Sequence, residues 1–147
     1  MNVRINADEF ARGMDAAAAG IAERLYKATE QGCVVIENEA KARAPKSQKH
    51  IGDDPALRLS IGHKTLVQGK RAVGIVGTDN LYAVFVHEGT GIFSRTGAGR
   101  KDVPWAYKDE RGNWHQTSGH EAVPFLEDAA DEKRQDVLRI FQTILGG

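Results

Sequence analysis

The chain has 147 residues, with 20 basic and 20 acidic side chains, a formal net charge of zero, 41% hydrophobic residues and 27% charged ones. That length predicts a single domain over residues 1–147, able to bury roughly two thirds of its unfolded surface, and that composition excludes wholesale disorder. The lone cysteine, Cys33, excludes an internal disulfide and a cysteine-built zinc site, and the neutral balance argues against a dedicated nucleic-acid binder. The opening MNVRINADEF has no apolar leader core, and no stretch approaches the roughly 18 apolar residues of a spanning helix. The chain is therefore expected to be cytoplasmic at synthesis, without a membrane partner.

A long N-terminal helix comes first. Asn6 and Glu9 have the spacing of a capping box, and Phe10, Met14, Ala17, Ile21, Leu25, Ala28 and Val35 recur every three or four residues as one apolar stripe. Glu37 with Lys41 and Glu39 with Arg43 place the acid four residues before the base, the favourable order on an exposed face. Pro45 stops the helix, and Gly32 predicts a kink or break within it. Pro45 to Pro55 reads as a loop. Leu57, Leu59 and Ile61 then alternate with Arg58 and Ser60, which predicts a strand with one buried face. Two more strands are predicted after the turns Gln68-Gly69-Lys70 and Thr78-Asp79-Asn80, over Ala72–Val76 and Leu81–His87, to complete an antiparallel meander.

The segment from Gly89 to Gly119 is rich in glycine yet carries Phe93, Trp105, Tyr107 and Trp114, which a plain linker would lack. It predicts a long loop that ends in an aromatic hairpin, Trp105–Lys108 against Asn113–Thr117, around Asp109-Glu110-Arg111-Gly112. Residues 91–104 are expected to stay mobile until a neighbour orders them. Pro124 opens the last helix, with Leu126, Ala130, Val137, Phe141 and Ile144 as its stripe and Glu127, Asp128 and Asp131 in its first turns. The expected fold class is α+β: a long N-terminal and a C-terminal helix packed on a small antiparallel sheet.

Charge is segregated along the chain. Lys41, Arg43, Lys46, Lys49, Arg58, Lys64, Lys70 and Arg71 face only Asp53 and Asp54, whereas Glu121, Glu127, Asp128, Asp131, Glu132 and Asp136 dominate the start of the last helix. Such blocks are either solvated faces or the complementary ends of an assembling subunit. Lys41, Arg43, Lys46 and Lys49 are expected to form one patch, facing either a neighbour's acidic helix or DNA phosphates.

No catalytic constellation emerges. Gly97-Ala98-Gly99-Arg100-Lys101 lacks the flanking strand and helix of a nucleotide loop, because Asp102, Val103 and Pro104 follow. His87, Glu88, His115 and His120 could gather around a metal as a hydrolase, but none has the H-E-x-x-H spacing, and surface histidines are the preferred reading. Cys33 sits among Val34, Val35 and Ile36, as a small buried hydrophobe does, and no G-x-S-x-G elbow surrounds Ser60. No catalytic, cofactor-binding or metal residue is expected.

The ordered set of short motifs carries the remaining signal. Ala40-Lys41-Ala42-Arg43-Ala44-Pro45, then Leu57-Arg58-Leu59-Ser60-Ile61, Tyr82-Ala83-Val84-Phe85-Val86-His87-Glu88-Gly89-Thr90-Gly91, and Pro124-Phe125-Leu126 with Ala129, together resemble the tail-component family of tailed bacteriophages. The sequence departs from that family's pattern at His87-Glu88, at Glu127-Asp128 and in the longer loop Lys46–Pro55. The insertion between Gly97 and Trp114 looks like a branch common in prophages of Gram-positive bacteria. The resemblance implies a non-enzymatic neck or tail-completion protein, made in the host cytoplasm and placed in the virion at the head–tail junction or tail. It implies a homo-oligomeric ring around the DNA channel, in contact with head-completion, tail-terminator or tail-tube proteins and, without sequence preference, with DNA. A tail-terminator ring protein is the alternative within the same setting.

Overall fold

The computed structural model describes residues 7–46 and 56–146. Asn6, Lys49 and the rest of the loop from Ser47 to Pro55 lie outside the described residues, as do the side chains of Glu9 and Phe10. The spine is helix α1, Ala7–Arg43, which runs unbroken through Gly32. The helix that occupies 125–145, which is α4 in chain order (Phe125–Leu145), packs against its second half. The two are antiparallel: Arg43 reaches Glu132 at 3.8 Å and Lys133 reaches Glu39 at 3.4 Å at one end, while Gly32 lies against Val137 and Phe141 at the other. A Cβ on Gly32 would stand 3.3 Å from Val137 Cγ1. The glycine thus marks the close approach of two helices, where a side chain would crowd Val137, and the expected break is absent.

Beside α1 lies a two-stranded antiparallel sheet, β1 (Ile61–Gln68) and β2 (Arg71–Thr78), in register from Ile61 opposite Thr78 to Gln68 opposite Arg71. The expected third strand is missing, and the two segments called strands around this sheet are helices. Residues Ala56–Ser60 form α2. Leu57 and Ile61 are buried, four residues apart, whereas Leu59 is 76% exposed, so the burial follows the helical period. Residues Tyr82–Glu88 form α3, which buries Ala83 and Val86, three apart, and leaves Val84 and Phe85 outside. The Asp79-Asn80 pair that resembles a hairpin turn starts this helix, with Asn80 Oδ1 accepting the Tyr82 N–H at 2.9 Å. The β propensity of Tyr82, Val84, Phe85 and Val86 is overridden by the core the helix must reach.

The core joins the C-terminal end of α1 to these short pieces: Ala40, Ala44, Leu57, Ile61, Ala83, Val86, Phe125 and Ala129 are all buried in one cluster. Arg58 closes the end of α1, its Nε donating to the Ala44 carbonyl at 3.2 Å, where helix carbonyls lack partners and the dipole favours a cation. Ser60 donates to the Leu57 carbonyl at 2.8 Å and touches Thr78 Oγ1 at 2.5 Å, tying α2 to the last residue of β2. Val123 N–H donates to the Val86 carbonyl at 2.9 Å and so docks the entry to α4 on α3.

A charged clasp fastens the sheet to α1. His63 on β1 lies between two α1 carboxylates, with Nε2 at 2.9 Å from Glu30 and Nδ1 against Glu37, while Thr65 donates to Glu30 at 2.5 Å and Lys41 to Glu37. The bonds to Glu30 and Glu37 raise the His63 pKa above its ordinary 6.5. Glu30 is lowered from 4.5 by His63 and Thr65, and Glu37 by Lys41 and His63. A raised histidine adds stability that is complete below pH 6.5 and fades as pH rises through its folded value, and lowered carboxylates add stability that is complete above pH 4.5 and fades as pH falls. The clasp contributes most between those values. Thermal unfolding monitored by circular dichroism should therefore show a melting temperature that falls from pH 6 toward pH 9 in the wild type, with a visibly flatter profile in His63→Gln; equal slopes would remove the clasp from the stability account.

Close packing at Gly74 gives a second test. A Cβ there would collide with Cys33 Sγ and lie 3.0 Å from Thr29 Cγ2, so β2 rests directly on α1. Cys33 is buried, as a small hydrophobe, and burial raises its thiol pKa. Gly74→Ala is expected to cost about 1–3 kcal/mol in denaturant titrations, as overpacking does, and Cys33→Ala should restore part of that loss in the double variant.

Candidate assembly surface

Beyond α3 the chain makes a backbone junction that holds the glycine-rich segment. Thr90 N–H donates to the His120 carbonyl at 3.0 Å, Ile92 N–H to the Ser118 carbonyl at 3.2 Å, and the His120 N–H to Thr90 Oγ1 at 3.1 Å. Gly91 and Gly119 cross here with φ of +62° and +106°; Cβ atoms on them would strike the Ser118 and Thr90 carbonyl oxygens. Both the left-handed backbone and the absence of a side chain are required at this crossing. The Gly89-Thr90 motif thus acts as one half of a strap whose other half is Ser118 to His120.

From the junction the loop folds back on the body. A single 3-10 turn, Gly91–Phe93, leads to Arg95, whose N–H donates to the Glu88 carbonyl at 2.9 Å and whose guanidinium pairs with Glu127 of α4 at 2.9 Å. That pairing raises the Arg95 pKa. The loop is therefore tied back to its own chain at Arg95. It delivers the expected aromatic hairpin, β3 (Trp105–Lys108) and β4 (Trp114–Thr117). Asp109 builds the turn, accepting the Arg111 N–H at 2.9 Å, the Asn113 N–H at 2.8 Å and a bond with His115 Nε2 at 2.9 Å; the His115 contact first, then Asn113, hold its carboxyl far below the usual range. His115 stacks on Tyr107 at 5.3 Å, Arg100 lies 5.3 Å over Trp105, and Lys108 lies 5.4 Å over Trp114.

α3 and the hairpin enclose two open grooves that share Phe85 and Trp105. One runs past Val84, Thr90 and Arg100, the other past Tyr82, Tyr107 and His120. Val84 is 61% exposed and Phe85 55%. A groove floored by aromatic and apolar side chains and rimmed by a few polar ones has the make-up of a protein contact surface.

The motif residues divide by role. Leu57, Ile61, Phe125 and Ala129 belong to the core, Leu126 packs against it, and Pro45 follows the end of α1. Tyr82 also packs on the core; its hydroxyl is buried with no hydrogen-bond partner among the described residues, and burial raises its pKa. Glu88, Gly89 and Thr90 form the junction. The basic patch is divided: Lys41 pairs with Glu37, Arg43 with Glu39 at 2.7 Å and with Glu132, and Lys46 is exposed. Part of the expected complement between basic and acidic blocks is thus made within one chain. His87, Glu88, His115 and His120 are not brought together: His115 is engaged on the hairpin, and His120 Nδ1 lies 3.1 Å from the Glu121 carbonyl. Among the described residues the donors close enough to share a cation are His87, Glu88 and Glu127. There Arg95 already supplies positive charge to Glu127. Sequence reasoning missed Phe85 as a surface residue, having placed it in a strand, and missed Arg95 and Ser118–Gly119, whose partners lie far along the chain.

The junction can be tested optically, because both tryptophans of the protein, Trp105 and Trp114, lie on the hairpin. Gly91→Ala should cost about 1–3 kcal/mol locally, shifting tryptophan emission and exposing the 91–104 segment to trypsin at Arg95 and Arg100, while helical circular dichroism stays near the wild-type value. An unchanged emission spectrum would show that the strap does not hold the hairpin.

Comparison with known proteins adds one finding to this geometry. Residues 8–89, more than half of the chain, match the HK97-gp10-like family model, described as "Bacteriophage HK97-gp10, putative tail-component". That span covers α1 through the Glu88-Gly89 end of α3, and leaves the loop, the hairpin and α4 outside it. No curated protein and no solved structure matched the chain. The residues that carry the match are those that build the body, from the long helix and its Arg58-capped end to the buried side of α3, and the chain belongs to the HK97-gp10-like family of bacteriophage tail components.

Proposed function

We propose that the protein is a non-enzymatic structural subunit of a tailed bacteriophage or prophage virion, acting in tail completion or head–tail joining as one member of a ring around the DNA channel. Family membership supports the setting. The observation that carries the reading is the uncovered apolar surface on α3, with Val84 and Phe85 both more than half exposed on two grooves that the hairpin's Trp105 and Tyr107 help to line. A small neutral domain gains nothing in isolation from leaving such side chains in water; a neighbour that covers them recovers roughly 25 cal/mol for each Å² of apolar surface removed. Head-completion, tail-terminator or tail-tube proteins are the proposed neighbours. DNA passing the ring would meet Lys46 and Lys49 as a sequence-blind electrostatic contact.

Complementation of a phage lacking this gene tests the proposal. Val84→Glu and Phe85→Glu, folded by circular dichroism, are expected to yield no infectious particles and to leave filled heads beside separate tails of normal length in electron micrographs. Tails of uncontrolled length would assign the protein to tail termination, and normal particles would remove it from the virion-assembly pathway.

A further inference from the structure

Three side chains able to ligate a metal meet where the end of α3 touches the start of α4. His87 and Glu88 are the last residues of α3, and Glu127 lies in the first turn of α4. The Val123 N–H bond to the Val86 carbonyl at 2.9 Å brings these two helix ends together. One donor atom from each of His87, Glu88 and Glu127 then lies within 4.8 Å of the other two. Neither His115 nor His120 takes part, so this is a different set of residues from the four that the sequence offers.

The imidazole of this set is held in place. Its ring meets that of fully buried Phe125 edge to face, with centroids 5.5 Å apart, and the side chain is only 14% exposed. Nδ1 stands 2.9 Å from Glu88 Oε1, whereas Nε2 is buried with no hydrogen-bond partner among the described residues. Buried polar atoms nearly always have a partner in protein, water or an ion, and a neutral imidazole has one bare nitrogen to offer. Charge at this place is also unbalanced. Arg95 pairs with Glu127 at 2.9 Å, and Glu88 and Asp128 act on the same guanidinium. Three carboxylates thus share one cation. The Glu88 and Glu127 side chains both reach solvent and can turn toward an ion.

We propose that His87, Glu88 and Glu127 bind one divalent transition-metal ion of the zinc class, with water in the remaining position. Zinc accepts imidazole nitrogen and carboxylate oxygen at about 2.0–2.2 Å and is satisfied by three protein ligands and a water. Rotation of the two carboxylates brings the donors to that range, since they already lie within 4.8 Å of one another. Magnesium and calcium take shells of oxygen and are poorly served by an imidazole. Arg95 shares the carboxylates with the ion, and its charge opposes binding. The ion pins the end of α3 to the start of α4, where the family-matched body joins the part of the chain outside the match. Its role is structural, and the inference does not depend on the ring reading above.

Isothermal titration calorimetry of the full chain with zinc chloride tests the site. The wild type is expected to bind one zinc ion per chain, and H87A and E127Q to bind it at least about tenfold more weakly. R95Q should bind at least about fivefold more tightly, because a like charge is removed from beside the ion. H87A also removes packing on Phe125, so E127Q, a change at an exposed side chain, carries the test if H87A fails to fold. Zinc should raise the melting temperature of the wild type and leave that of E127Q where it was. Magnesium in excess should leave the zinc isotherm unchanged. No zinc binding at millimolar concentration overturns the proposal, and so does an E127Q isotherm equal to that of the wild type, which would place the ion on other histidines of the chain. Competition by magnesium overturns the part assigned to His87, and an R95Q variant that binds no more tightly removes Arg95 from the site.

Discussion

The body of this protein depends on how closely its other elements approach one helix. α4 meets α1 over Gly32, β2 meets it at Gly74 with Cys33 and Thr29 beneath, and the short helices gather on Ala40 and Ala44. Small residues at these points let backbones come near, so that larger side chains from the partners, Val137, Phe141, Phe125 and Ile61, fill the space between them. The arrangement concentrates the core at one end of a long helix. It also leaves the other end of α1 largely exposed among the described residues, from Arg12 to Ala19.

That lopsidedness connects packing to function. A chain of this size has few large apolar side chains to spend on a core, and this one leaves many of them outside: on the overhang, on the outer sheet face, and on α3 beside the hairpin. Interactions that hold the body are instead partly polar. His63 joins β1 to two carboxylates of α1, Arg58 completes the end of α1, and Arg95 fastens the loop to α4. Charge-assisted bonds of this kind orient elements without requiring much apolar burial, which leaves apolar faces for neighbours. A subunit built for assembly and a subunit with a small core are, in this protein, two descriptions of one distribution of side chains.

The family-matched part of the chain and the part outside it also do different work. α1 to α3 supply the spine, the sheet and the buried side of the Tyr82–Glu88 helix. The loop and hairpin are attached to that body through the Thr90–His120 junction, by backbone bonds and two glycine conformations, with little packing on the helices. An element attached in this way can differ in length and tip without disturbing the core, which is where surface specificity is most easily placed.

Both long helices, the turn at Gln68 to Lys70, the hairpin flanking Asp109 to Gly112 and the burial of Cys33 are legible in the sequence, because each is set by local periodicity, turn chemistry or the run of apolar neighbours. The short segments are a different case. Leu57 to Ile61 and Leu81 to His87 read as strands by alternation and β propensity, yet Leu57–Ser60 and Tyr82–His87 are helical, because the residues that reach the core, Leu57 before Ile61 at the start of β1 and Ala83 with Val86, are three or four apart, and only the tertiary arrangement says which residues those are. Gly32 reads as a breaker until α4 is seen lying against it. His63 carries no local signal at all, since its partners Glu30 and Glu37 lie on another element. The helical spine, the α+β class and the family can be read from the residues alone, since they rest on neighbours in the chain and on ordered motifs; which faces are covered, which charges are paired and which apolar side chains stay exposed follow from the fold, because burial is a property of what packs against a residue from elsewhere in the chain.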